Sequence, residues 1–200
     1  MKKLNQFIIE KFRLSKDNLT HQYNYHPKTQ DELKELVKKL IKERGNDADL
    51  NDIDTSAITD MTNIFYNSKF NGDISEWDVS NVKYMSWMFG YSAFNKDISN
   101  WNVHKVEDMQ YMFTNSKFNK DISNWNVSNV ENMSNMFVKS KFNRDISNWN
   151  VSNVKYIDRM FYGSKFNQDI SKWDVSNIEY MQEMFYKCPL EDNPPKWYKK

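Results

Sequence analysis

The sequence predicts an α/β solenoid of 24-residue strand-turn-helix repeats closed by an N-terminal helical cap, and three observations carry that expectation. One phrase recurs in register, Phe70-Asn71-Gly72-Asp73-Ile74-Ser75-Glu76-Trp77, restarting at Phe94, Phe118, Phe142 and Phe166. The apolar period changes within each copy, from alternation to helical spacing. Residues 1–45 carry 11 Lys/Arg against 6 Asp/Glu and residues 46–200 carry 17 against 21, so the first segment is a unit of different composition.

That first segment, residues 1–45, is expected to cap the array. An amphipathic helix is predicted over Leu4 to Phe12. A second opens at Pro27-Lys28-Thr29-Gln30-Asp31-Glu32, where Thr29 and Glu32 have the spacing of a capping box. It runs through Leu33, Leu36, Val37, Leu40 and Ile41 to a stop at Gly45.

The repeats occupy residues 46–190, with five full copies over 70–189, a partial one entering at Asp49 and a truncated one leaving at Leu190. In the third full copy, Asp121-Ile122-Ser123-Asn124-Trp125-Asn126-Val127 is short and has Trp and Val two apart, which suits a brief strand. Val130, Met133, Met136 and Phe137 have the spacing of one helix face, and Ser128 with Glu131 reads as a capping box, as does Ser176 with Glu179. Neither element is long enough to stand alone, so copies must stack and align identical residues into core columns. Residues 191–200 form a tail; Pro189, Pro194 and Pro195 remove backbone donors that another copy would need.

The bulk numbers exclude several functions. Lys plus Arg (28) nearly balances Asp plus Glu (27), which removes the case for a nucleic-acid binder acting through overall charge. Cys188 is the single cysteine, so thiolate zinc sites and internal disulfides are excluded. At the start, Phe7-Ile8-Ile9 is interrupted by Glu10, short of the roughly 7–15 apolar residues of a signal peptide, and no run approaches the ~18 of a membrane span. The chain is therefore expected to be soluble, without an export signal of its own.

The phrase Phe-Asn-x-Asp-Ile-Ser-x-Trp-(Asp/Asn)-Val-Ser-Asn-Val-x-x-Met-x-x-Met-Phe-x-x-Ser resembles the repeat of the BspA-like leucine-rich-repeat surface proteins of mycoplasmas and of gut and oral bacteria, over residues 49–190. The resemblance implies a leucine-rich-repeat-like solenoid used on cell surfaces for adhesion or protein binding, with no catalytic residues. Localisation stays open, because the missing export signal favours the cytoplasm and the resemblance favours the surface.

Chemistry is thin along the chain. The column Asp73, Asp97, Asp121, Asp145 and Asp169 could suggest calcium, but stacked calcium sites need glycine-rich turns and the chain has 4 glycines. Satisfaction of turn amides by Asp and by the neighbouring Asn column is the expected role. Trp77, Trp101, Trp125, Trp149, Trp173 and Trp197 are expected to pack in the core or its edge, with a carbohydrate platform as the alternative. His21, His26 and His104 share no register, and no phosphate-loop, dinucleotide or HExxH motif occurs. No enzyme, cofactor or metal is expected.

Function is expected where the copies disagree. Three variable columns carry aromatic residues, and the partner-binding candidates are Tyr66, Tyr84, Trp87, Tyr111, Tyr156, Tyr162, Tyr180 and Tyr186. Exposed Tyr and Trp on a rigid surface are typical interface anchors. The expected partner is a macromolecule, a protein ahead of a carbohydrate; the alternative is a virion or surface component that assembles through its ends.

Overall fold

The computed structural model describes residues 23–199. The helix expected over Leu4 to Phe12, and His21, lie outside the described residues.

Helix α1 spans Gln30–Arg44. It begins where Thr29 Oγ1 accepts the Glu32 amide at 3.2 Å, while the Glu32 carboxylate accepts the Lys28 amide at 2.6 Å. Asp31 and Glu32 face the positive end of the helix, Lys42 and Arg44 the negative end. Gly45 ends it at φ 94°, its N–H returning to the Ile41 carbonyl. Leu33, Val37 and Leu40 are buried in one core with Leu50 and Ile53 of the entering copy, a gain of roughly 1.5–3 kcal/mol per side chain. Arg44 locks the junction: its two guanidinium nitrogens each donate to the Asp52 carboxylate at 2.9 Å. That contact holds Asp52 below the ordinary carboxylate range. A parallel bridge from Tyr25 to Ile53 adds an edge beside it.

The α/β solenoid expected from the sequence, leucine-rich-repeat-like with a strand and a helix in each copy, is overturned. Among the described residues α1 is the only helix, no extended strand forms, and pairing is limited to isolated parallel bridges such as Asp108↔Asn132 and Asn132↔Tyr156. Each copy is a chain of turns.

The reason lies in the backbone. Asn63, Trp87, Tyr111, Asn135, Arg159 and Glu183 all have left-handed φ between 54° and 62°. Four residues further on, Asn67, Tyr91, Asn115, Lys139, Gly163 and Lys187 do the same, between 51° and 62°. A right-handed helix cannot pass through such a residue. In the segment read as a helix, the amides of Met136, Val138 and Ser140 close tight turns onto Met133, Asn135 and Phe137. The alternate amides of Met133, Asn135, Phe137 and Lys139 instead cross to the carbonyls of Tyr156, Asp158, Met160 and Tyr162 in the next copy. Half the donors a helix needs are therefore spent between copies.

The segment read as a strand fails for a related reason. Asp121 Oδ1 takes the Ser123 amide at 2.9 Å and Asn126 Oδ1 takes the Ser128 amide at 3.2 Å. Side-chain acceptors of this kind pull the backbone into turns. Ser128 and Glu131 thus form no capping box; Glu131 pairs with Lys155 at 2.7 Å.

The stacked columns do form. Phe65, Phe89, Phe113, Phe137, Phe161 and Phe185 follow one another with ring centroids 5.5–6.1 Å apart. Each of these from Phe89 to Phe161 also meets the Phe five residues on, in the parallel column Phe94 to Phe166, at 4.0–4.4 Å. Met109, Met133 and Ile157 are fully buried beside them. The Trp column is a structural seam: the indole N–H of Trp125 donates to the Ile98 carbonyl at 3.1 Å, and Trp77, Trp101, Trp149, Trp173 and Trp197 each make the equivalent bond to the preceding copy.

Candidate functional site

With the core columns committed to packing, the side chains that vary stand on the turn-bearing side. Two left-handed positions, four residues apart, recur in each copy there. Among the candidates, Tyr66, Tyr84, Tyr156, Tyr180 and Tyr186 are exposed, while Trp87, Tyr111 and Tyr162 are half-buried.

They do not make one surface. Tyr156 and Tyr180 stack at 5.2 Å, and Tyr162 lies tilted against Tyr186 at the same distance. Tyr84 has no aromatic neighbour among the described residues. The largest group gathers Tyr66, Trp87 and Tyr111 with a residue sequence reasoning missed, Tyr91, which is 47 % exposed. Tyr91 occupies the column of Asn67, Asn115 and Gly163, and the signal for it was that Asn and Gly mark a left-handed backbone position facing solvent.

Trp87 is the centre of this group. It stacks on Tyr111 at 4.1 Å and 4°, lies nearly parallel to Tyr91 at 6.2 Å, and meets Tyr66 edge-on at 5.5 Å. Tyr66 and Tyr91 also touch edge-on at 5.9 Å. Gly90 is the seat of the indole: a Cβ there would come within 2.7 Å of a Trp87 ring carbon. Trp87, Tyr91 and Tyr111 adopt φ of 57–59°, in which bulky side chains are strained. The penalty of roughly 1–2 kcal/mol per residue is partly offset by aromatic pairs worth about 0.5–1.5 kcal/mol each. Further along the array, the places of Trp87 and Tyr111 are taken by Arg159 and Glu183, which form an ion pair at 2.7 Å.

The remaining polar columns are occupied within the fold. The carboxylates of Asp73, Asp97, Asp121, Asp145 and Asp169 accept the amides of Ser75, Ser99, Ser123, Ser147 and Ser171 at 2.8–2.9 Å. Those amides hold all five below the ordinary Asp range. The Asn column ties copies together, as where Asn119 Oδ1 accepts the Asn143 amide at 3.0 Å. Ser116 and its equivalents accept the amide two residues on, and Cys188 Sγ does the same for Leu190 at 3.4 Å; burial pushes the Cys188 thiol up. Trp77 to Trp173 are 3–4 % exposed with their N–H groups engaged, so the alternative of a carbohydrate platform on the Trp column is set aside. No helix among the described residues is long and apolar enough to cross a membrane.

The family model described as "Mycoplasma protein of unknown function, DUF285" matches residues 32–141 and 115–197, from within α1 to the tail. The chain belongs to that family. DUF285 is a repeat family, and the stacked copies described above are its repeats in this chain. No curated protein and no solved structure matches the chain.

Proposed function

We propose that this DUF285 protein is a non-enzymatic protein-binding scaffold whose docking patch is the cluster Tyr66, Trp87, Tyr91 and Tyr111. The observation that carries the reading is the strained backbone beneath three of the four rings, at positions where other copies place Asn63, Asn115, Asn135 or Gly163. Strain held against an available relaxed residue calls for a compensating role. Aromatic rings fixed by mutual stacking lose little side-chain entropy when a partner covers them, which favours binding. The resemblance to BspA-like surface proteins supports adhesion as the setting.

The test replaces Tyr66, Trp87 and Tyr91 with alanine in the full chain and compares photo-crosslinked partners with those of wild type and of a Tyr162→Ala/Tyr186→Ala control. The first variant is expected to lose a discrete crosslinked protein that the control retains, with circular dichroism unchanged in both. Retention of the same crosslink by the triple variant would place the patch elsewhere.

A further inference from the structure

Cations on the surface of the array are of two kinds. Where a column holds both signs, neighbouring copies pair across their boundary: Lys83 with Glu107, Lys155 with Glu131 and Arg159 with Glu183, each at 2.7 Å. The column Lys69, Lys117, Lys141 and Lys165 has no acid in it, and Ala93, two residues after Tyr91, is its one break. All four lysines are exposed, and among the described residues none of their ammonium groups has a hydrogen bond or an ion-pair partner.

Like charges in neighbouring coils repel, so this column does nothing for the stack. The Asp column also stacks like charges, but each carboxylate there holds a Ser amide; the lysines hold nothing. Lys139 adds a fifth cation. It stands at a left-handed φ of 51°, in the column of Asn67, Asn115 and Gly163, and its stem runs over Gly163, where a Cβ would lie 3.3 Å from Lys139 Cγ. Gly163 is two residues before Lys165, so the fifth charge joins the same edge. Lys120 and Arg144, three residues on, face Asp97 and Asp121 and belong to the scaffold.

Spacing and charge select the occupant. The Phe that follows each lysine repeats at 6.3 Å, from Phe118 to Phe142 and from Phe142 to Phe166. Alternate side chains of an extended peptide are about 6.6 Å apart. We propose that this edge docks an acidic, extended segment of a partner protein, with Asp or Glu at every second residue, laid along the stack across Lys117, Lys141 and Lys165 with Lys139 beside them. A single-stranded polynucleotide fits less well. It takes aromatic rings for its bases beside the cations, and the copies of Lys117 and Lys141 place Thr114 and Val138 where others place Tyr66, Tyr162 and Tyr186. The inference is independent of the aromatic patch.

The experiment follows the fluorescence anisotropy of a labelled peptide of alternating Glu and Thr against the full chain, beside a peptide of the same composition with its Glu residues in one block. The alternating peptide is expected to bind saturably and more tightly than the block peptide. Lys117→Gln/Lys141→Gln/Lys165→Gln is expected to weaken it about tenfold, and Lys34→Gln/Lys39→Gln/Lys42→Gln on α1, with the same change of net charge, by no more than about twofold. Circular dichroism checks that both variants are folded, and the single variant Lys141→Gln, expected to weaken binding about twofold, replaces the triple one if it is not. Absence of saturable binding overturns the proposal, as do equal affinity for the two peptides, equal loss in the two triple variants, or tighter binding of an oligothymidylate of the same charge.

Discussion

Trp125 is 3 % exposed and donates its indole N–H to the preceding copy's Ile98 carbonyl, while Trp87 lies half-buried over Gly90 on a left-handed backbone with its ring shared among three tyrosines. Of the seven tryptophans, six keep the repeat register and Trp87 alone stands outside it. The in-register indoles satisfy a buried carbonyl and close the core, so the stack depends on them. Trp87 closes nothing; its surroundings are adapted to hold it, with glycine beneath and tyrosines on three sides. The difference separates residues that make the array from residues the array displays.

The comparison breaks most clearly under truncation. Trp125→Ala should lower the free energy of urea unfolding by about 3–5 kcal/mol, through the cavity and the orphaned Ile98 carbonyl. Trp87→Ala should cost less, about 1–2 kcal/mol, because only half-buried stacking is lost and no buried carbonyl is orphaned, while the alanine Cβ keeps the left-handed strain. Similar losses at both sites would erase the distinction.

The repeat register, the core columns, the Asp and Asn rungs and α1 were legible because each rests on a local rule read at one position and multiplied by the period. Thr29, Glu32 and Gly45 define a helix in any context. The turn ladder was hidden because Met133, Met136 and Phe137 have the spacing of a helix face whether their backbone winds into a helix or a chain of turns. What decides is the residue between, Asn135, and its counterparts Trp87, Tyr111, Arg159 and Glu183 do not advertise a positive φ. The grouping of Tyr66, Trp87, Tyr91 and Tyr111 was illegible for the same reason: rings from two left-handed columns meet only once the backbone path is known.

A smaller effect sharpens the role of the seat. Gly90→Ala places a methyl against the Trp87 ring and should shift it from Tyr111. The near-ultraviolet circular dichroism of the stacked pair is expected to fall while the unfolding free energy drops by about 1–3 kcal/mol. An unchanged aromatic signal would mean the indole does not rest there.

Acid acts on the scaffold and spares the patch. Asp97 and Asp121 are held below their ordinary pKa by the Ser99 and Ser123 amides. Groups depressed in this way stabilise the fold above the unfolded value, near 4, and that contribution is lost as pH falls through the folded value. Unfolding midpoints should therefore be flat from neutrality to about pH 5 and decline below about pH 4. Asp121→Asn, which keeps an acceptor for the Ser123 amide, should blunt the decline slightly.

The most direct test of the division between scaffold and display is Trp87→Asn, which installs the residue that Asn63 and Asn135 already supply in the same column. The expected unfolding free energy is within about 1 kcal/mol of wild type or above it, since Asn accepts a left-handed backbone, together with loss of the crosslinked partner. A stability loss as large as that of Trp125→Ala, or a partner retained without the indole, would contradict it.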